Sequence, residues 1–161
     1  EAEKKWSVLK KSIINLKLHM IGSLQSNKAK KAVELFDYIH SLDNEKLANE
    51  LSKREKEKNK KLGYFIQINL GSEEQKGGLE VNDLKPFYDH CLKKLDLTIL
   101  GLMAIPPNDN NSEKYFKTLN ELNKSLALEN LSMGMSADYM SAIKNESTFV
   151  RIGSSIFGPR S

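Results

Sequence analysis

Short apolar runs alternate with amphipathic stretches along the chain, and this alternation constrains the fold more than any other feature. A short apolar run that ends in Gly, Pro or a polar loop predicts a strand. The predicted strands are residues 16–22, 37–43, 64–71, 97–105, 130–135 and 148–158. Between them, apolar side chains recur at helical spacing, as at Leu84, Phe87 and Cys91. The strict βα order predicts a parallel sheet covered by helices.

The number of predicted strands bears on the type of parallel sheet. Strict βα alternation forms either an open doubly wound sheet or a closed barrel, and a closed parallel barrel usually takes about eight strands. Six predicted strands would leave such a barrel incomplete. The chain starts at Glu1, inside a predicted helix that carries Trp6 and Leu9 on one side. We therefore expect residues 1–161 to form a single domain that lacks its N-terminal segment.

The composition of the 161-residue chain is typical of a globular protein, with 39% apolar and 29% charged residues. No apolar run approaches the roughly 20 residues that a membrane-spanning helix needs, and no signal-peptide segment follows the first residues. The single cysteine, Cys91, lies on the apolar face of a predicted helix, which predicts a buried packing residue rather than a nucleophile. We expect a cytoplasmic protein with no membrane partner.

The net charge of +4 raises the question of nucleic-acid binding. The most basic stretch, residues 53–61, mixes Glu55 and Glu57 with its lysines and contains no aromatic side chain. It follows an amphipathic stretch, a pattern that favours a solvated helix end. We therefore expect no nucleic-acid partner.

Two small-residue segments near the C-terminus are the candidate ligand-binding elements, because functional groups of βα folds collect after the strands. In residues 132–136, Ser136 is predicted to cap a short helix and to face an anion with the first amides of that helix. In residues 151–155, Gly153 lets its own amide and that of Ser154 approach a phosphate. Arg151 adds a planar cation. Ordinary caps and turns, and a salt bridge of Arg151 across the barrel mouth, explain the same pattern equally well.

Histidine patterns do not indicate a metal or catalytic site. His19 and His40 fall in predicted strands separated by a helix, and neither has a partner at metal-ligand spacing. His90 is predicted to be solvated on the polar side of its helix. The sequence contains no phosphate-binding GxxxxGK[ST] or GxGxxG loop and no assignable Ser, His and Asp triad. We therefore expect neither a metal ligand nor a catalytic residue.

Five segments carry a resemblance to a known family. They are HMIGSLQSNKAK (19–30), INLGSEEQKGGL (68–79), LTILGLMAIPP (97–107), LSMGMSADYMSAI (131–143) and VRIGSSIFGPR (150–160). In this order they resemble consecutive motifs of the pyridoxal-phosphate homeostasis proteins, the YggS/PROSC family. The motifs span nearly the whole chain, whereas no single one of them is specific.

The resemblance implies a TIM-like parallel (β/α) barrel, similar to the N-terminal domain of alanine racemase, that binds pyridoxal 5′-phosphate. Family members buffer and deliver this cofactor, influence amino-acid and keto-acid balance and have no established turnover. The resemblance assigns the phosphate to Ser136, Gly153 and Ser154, and the pyridine nitrogen to Arg151. It also implies that Met133, Ile21 and Gly22 line the pocket. A guanidinium at the pyridine nitrogen does not protonate it, which disfavours carbanion chemistry.

The chain departs from the family pattern at its start. The family has a strand with the Schiff-base lysine, a helix and a strand with a phenylalanine-glycine-glutamate-asparagine motif before the point that corresponds to Glu1, so we expect about six of eight barrel strands here. Apo forms of pyridoxal-phosphate enzymes are the implied recipients. The alternative function is that of a pyridoxal-phosphate-dependent amino-acid racemase, which needs a lysine and a second acid or base.

Overall fold

The computed structural model describes residues 6, 9–10, 12–71 and 77–158. Its six strands form one parallel sheet in which each strand pairs with the next along the chain. They are β1 His19–Met20, β2 Tyr38–Leu42, β3 Gly63–Gln67, β4 Thr98–Met103, β5 Asn130–Met135 and β6 Phe149–Arg151. This order confirms the predicted βα alternation, because parallel neighbours need a crossover connection between them.

Helices occupy the crossovers between the strands. They are α1 Ala29–Leu35, α2 Glu45–Lys58, α3 Leu84–Asp89, α4 Ser112–Ser125, α5 Tyr139–Lys144 and, after β6, α6 Ser154–Phe157. A π-helical segment, His90–Lys94, continues α3. Trp6 and Leu9 have helical backbone, as predicted. In the described part of the chain, no helix is long and apolar enough to cross a membrane.

The hydrophobic core lies where the helices pack on the sheet. Ile39, Ile66 and Leu102 supply it from the strands, and Val33 and Phe116 from the helices, all fully buried. Each such side chain contributes about 1.5–3 kcal/mol when it is removed from water. Cys91 belongs to the same core, as predicted, and burial raises the pKa of its thiol to about 12. Burial of these side chains therefore stabilises the packing of the helices on the outer face of the sheet.

The other face of the sheet forms the interior of a partly closed barrel. Phe149 of β6 contacts the rings of His40 in β2 and Phe65 in β3, with centroids 5.8 and 5.2 Å apart. A flat sheet would hold β6 several strand spacings of about 4.8 Å away from β3. The sheet is therefore curled, which confirms the TIM-like architecture with six strands.

Two local expectations were wrong. Glu55, predicted to lie on a solvated helix end, is only 2% exposed, and its Oε1 accepts hydrogen bonds from the Leu62 amide at 2.6 Å and the Tyr64 hydroxyl at 3.0 Å. His90, predicted to be solvated, is half-buried, and its Nε2 is buried without a partner among the described residues. For Glu55, the loop and strand after the helix supply the buried donors, which a helical pattern alone does not indicate.

Candidate functional site

A cavity of about 540 Å³ opens where β5 and β6 end. Its lining includes Ser136, Arg151, Gly153 and Ser154, which are four of the predicted binding residues. The loops after β5 and β6 are neighbours because the carboxyl ends of parallel strands meet at one edge of a sheet. The structure thus brings together residues from the two small-residue segments.

Ser136 connects the two loops. Its Oγ accepts hydrogen bonds from the amides of Gly153, at 3.2 Å, and Ser155, at 3.4 Å. The predicted cap was wrong: α5 begins at Tyr139, because residues 136–138 form a turn in which Asp138 accepts from the Met135 amide at 2.7 Å. The converging amides are instead those of Gly153, in the loop after β6, and of Ser155, in the first turn of the helix that follows. That loop leads into α6, where a strand and turn were predicted.

Gly134 explains why the end of β5 can place Ser136 at this loop. Its φ of +92° favours glycine, and a Cβ there would lie 2.5 Å from the Ala142 Cβ. Gly134 therefore permits the close approach of β5 to α5. Gly153 differs, because a Cβ there would meet no atom within 4 Å among the described residues, so the space beside its amide is open.

Arg151 reaches from β6 into the barrel interior. Its Nη2 donates to the Ala104 carbonyl at 2.9 Å, and its Nη1 lies 3.3 Å from both the carbonyl and the hydroxyl oxygen of Ser132. Burial lowers the pKa of Arg151 to about 10, so the guanidinium remains charged at neutral pH. Its Nε is buried and has no hydrogen-bond partner within the described residues. No ion pair of Arg151 occurs in that part of the chain either.

The remaining predicted residues lie outside this cavity. Met133 is fully buried in the hydrophobic core, on the helix-facing side of β5, so the structure does not support its expected place in the pocket lining. Ile21 and Gly22 follow β1, where the Gly22 carbonyl accepts from the Ser41 hydroxyl at 2.8 Å. Neither residue lines the cavity at the end of β5 and β6.

Sequence reasoning missed a hydrogen-bonded chain inside the barrel. His40 Nε2 lies 2.9 Å from His19 Nδ1, and His40 Nδ1 lies 2.8 Å from the Ser132 hydroxyl, which contacts Arg151. Burial, together with His19 and Arg151, lowers the pKa of His40 to about 3, so the ring is neutral. The alternation of side chains along a strand would have predicted that His19, His40 and Ser132 share one face of the sheet, but that prediction requires the strand registers, which the sequence does not give.

A metal site is not formed by these groups. Within residues 12–71 and 77–158 and the few described residues before them, no cluster of three His, Cys, Asp or Glu side chains could hold a metal ion. The polar groups that the described residues bring to the cavity are amides, hydroxyls and the Arg151 guanidinium. This combination suits an anion or a ligand that accepts hydrogen bonds.

Comparisons with known proteins assign the family. The protein-family model described as the alanine racemase N-terminal domain matches residues 1–161. The pyridoxal phosphate homeostasis protein of Aquifex aeolicus is 42% identical over 98% of the chain and 72% of its own length. That of Haemophilus influenzae is 40% identical over 91% of the chain and 66% of its own length.

Solved structures agree with this assignment. PipY of Synechococcus elongatus, solved both without and with pyridoxal phosphate, has a TM-score of 0.88 and 33% identity over 98% of the chain and 77% of PipY. Alanine racemase of Clostridium difficile, with a TM-score of 0.75 and 14% identity over 98% of the chain and 43% of the racemase, shares the fold. The chain therefore belongs to the alanine racemase N-terminal domain family and, within it, to the pyridoxal phosphate homeostasis proteins.

Proposed function

We propose that this chain binds pyridoxal 5′-phosphate at the ends of β5 and β6 and serves in buffering and delivery of the cofactor, without catalytic turnover. The observation that carries the proposal is the convergence of Ser136, the Gly153 amide and Arg151 on one cavity. The names of the relatives and the bound cofactor in PipY support the same ligand.

The cavity fits the chemical groups of this cofactor. Its volume of about 540 Å³ lies within the range of roughly 300–1,000 Å³ that is common for small-molecule sites. The amides of Gly153 and Ser155 now donate to Ser136 Oγ and are suitable donors for phosphate oxygens. The buried Nε of Arg151 is a donor without a partner among the described residues, and a pyridine nitrogen would accept its hydrogen bond.

Arg151 also favours storage over catalysis. Pyridoxal phosphate supplies an aldehyde that reacts with amines and a ring that accepts electrons. The guanidinium keeps its protons at neutral pH, since its pKa is about 10, and so donates a hydrogen bond without protonating the ring. The proposed recipients are apo forms of pyridoxal-phosphate enzymes in the cytoplasm. We also propose that residues 1–161 belong to one barrel domain.

Titration of the purified 161-residue chain with pyridoxal phosphate tests the proposal. Equilibrium dialysis, with Trp6 fluorescence as a second signal, measures the affinity, and inorganic phosphate serves as competitor. We expect saturable binding that phosphate reduces and that Arg151→Ala or Ser136→Ala weakens about tenfold or more, the equivalent of one good hydrogen bond. Ser125→Ala, at the exposed C-terminal end of α4, is the matched serine control. Absence of binding, or binding that neither variant changes, contradicts the proposal.

A second assay addresses turnover. The chain is loaded with pyridoxal phosphate and incubated with single enantiomers of alanine and other amino acids, and the enantiomeric ratio is followed by chiral chromatography. We expect no change above the rate with free pyridoxal phosphate. A faster loss of enantiomeric purity that requires Arg151 would favour the racemase alternative.

A further inference from the structure

The hydrogen-bonded chain behind Arg151 has no part in the function proposed above. It runs from the Arg151 guanidinium through the Ser132 hydroxyl to His40 and then to His19, across β6, β5, β2 and β1. Ser132 is fully buried and His40 is 2% exposed, so solvent does not replace these bonds. Buried polar groups in such a chain constrain one another's orientation.

We propose that His40 and Ser132 are positioning residues for Arg151, holding its guanidinium so that the Nε–H group alone remains for a bound ligand. The inference rests on the proposed function, because it concerns the arginine of that same site. His40 does not touch the cavity and acts through the Ser132 hydroxyl.

The donors and acceptors give the hydrogen bonds from Arg151 to His19 a single direction of donation. A guanidinium has only donors, so the Ser132 oxygen accepts from Arg151 Nη1. Among the described residues, the buried Ser132 hydroxyl has no partner besides Arg151 and His40, so its proton is satisfied only when it is donated to His40 Nδ1, which is then the acceptor. A neutral imidazole that accepts at Nδ1 carries its proton on Nε2, and this proton is donated to His19 Nδ1.

Aromatic packing fixes the ring on which this direction depends. The His40 ring stacks on Phe65 with centroids 4.3 Å apart, and Phe149 meets it edge-on at 5.8 Å. Burial keeps His40 neutral, because it lowers the pKa of the ring to about 3. A charged ring would carry protons on both nitrogens and would no longer accept from Ser132.

The guanidinium itself is left with one uncommitted donor group. Nη2 is bound to the Ala104 carbonyl and Nη1 to the two oxygens of Ser132. Loss of the Ser132 acceptor, or of the His40 ring that orients it, would free Nη1 and allow the guanidinium to rotate. The same lost contact would also loosen the side-chain torsions that aim Nε–H, so its direction would no longer be fixed for a ligand.

Nitrogen-15 NMR of the purified chain tests this without any ligand, through the rotation rate of the Arg151 guanidinium about its Nε–Cζ bond. We expect slow rotation in the wild type and a rate at least about tenfold faster in His40→Leu and in Ser132→Ala, since a lost hydrogen bond of typical strength corresponds to that factor. His40→Asn places an amide near the former Nδ1 position and should restore slow rotation. Ser52→Ala, which removes a buried serine hydroxyl that donates to the Leu95 carbonyl away from Arg151, is the matched control and should leave rotation slow.

The same variants are then titrated with pyridoxal phosphate. We expect about tenfold weaker binding in His40→Leu and Ser132→Ala, and recovery in His40→Asn. Fast rotation in the wild type, or unchanged rotation in the folded Ser132→Ala variant, overturns the inference. If His40→Leu does not fold, Ser132→Ala and His40→Asn carry the comparison. Slow rotation with the expected variant pattern, but no binding of pyridoxal phosphate to the wild type, supports the positioning and contradicts the proposed function.

Discussion

The ring of Phe149 in β6 lies 5.7 Å, centroid to centroid, from the ring of His19 in β1, although these strands stand at opposite ends of the sheet. The two strands are not hydrogen-bonded neighbours, so side chains rather than backbone connect them across the barrel interior. Phe149 also packs against Phe65 at 5.2 Å. Phe149 therefore links β6 to β1 and β3 across the barrel interior, alongside the hydrogen bonds that run from Arg151 to His19.

Replacement of this ring should lower the free energy of unfolding. We expect Phe149→Ala to cost about 2–3 kcal/mol, somewhat less than the 3–5 kcal/mol typical of a fully buried phenylalanine, because Phe149 is only half-buried. Urea denaturation followed by circular dichroism measures the change. Phe157→Ala is the matched control: its ring is 85% exposed, and the change should stay within about 0.5 kcal/mol. Equal losses in the two variants would contradict the bridging role.

The buried carboxylate of Glu55 should be a second determinant of stability. Its Oε1 serves the Leu62 amide and the Tyr64 hydroxyl, and Lys61 lies 3.5 Å from Oε2. Glu55→Ala leaves buried donors without an acceptor, and we expect a loss of about 2–4 kcal/mol in chemical denaturation. Glu57→Ala, on the same helix, breaks a surface ion pair with Arg54 and should cost far less. Equal losses of stability in Glu55→Ala and Glu57→Ala would mean that Glu55 is solvated, as its sequence context predicts, and would contradict its burial.

A pair of glycine variants should separate folding from binding. Gly134→Ala introduces a Cβ at a φ of +92° and 2.5 Å from the Ala142 Cβ, so we expect a loss of at least about 1 kcal/mol in stability. Gly153→Ala meets open space, and we expect a smaller loss of stability but weaker binding of inorganic phosphate and pyridoxal phosphate, since the methyl group stands beside the amide. Thermal unfolding and equilibrium dialysis measure the two effects. Unchanged phosphate affinity in Gly153→Ala would contradict the position of the anion.

The strands and helices follow from the sequence because their periodicity is a local property. The strand predicted at residues 130–135 has the same bounds as β5. Pro86, which has no backbone amide to donate, lies in the first turn of α3, where none is needed. The side that each strand residue faces is not a local property. Between Ser132 and Met135 the register of β5 against β6 shifts, and a slip of one residue exchanges the two faces of a strand. Ser132 points into the barrel, whereas Met133, which the family resemblance places at the pocket, packs in the core on the helical side.

The candidate site was predicted only in part for a similar reason. The motifs predict Ser136, Arg151 and Gly153 as binding residues, but spacing along the chain does not show that Ser136 accepts from the Gly153 amide after β6 rather than from its own helix. The contact between His40 and Ser132 joins residues 92 positions apart and depends on the curl of the whole sheet. Such contacts follow from tertiary packing, which local patterns do not specify.

The pH dependence of stability should report the buried state of His40. Its pKa falls from 6.5 to about 3 in the folded protein, mainly through burial, so between these values the unfolded chain binds more protons than the folded one. Stability conferred by the neutral ring is therefore complete above pH 6.5 and is lost as the pH falls toward 3, at up to about 1.4 kcal/mol per pH unit. Urea denaturation at several pH values measures this slope.

His40→Asn supplies the control for that slope, because it removes the titrating ring and leaves the other ionisable groups in place. The free energy of unfolding of the wild type should fall between pH 6.5 and pH 4.5 by about 2 kcal/mol more than that of the variant, whatever the starting stability of each. His19, whose pKa burial also lowers, contributes to both proteins alike. Parallel stability profiles for the two proteins would mean that His40 charges in the folded state without cost, and the ring could not then be the fixed acceptor for Ser132.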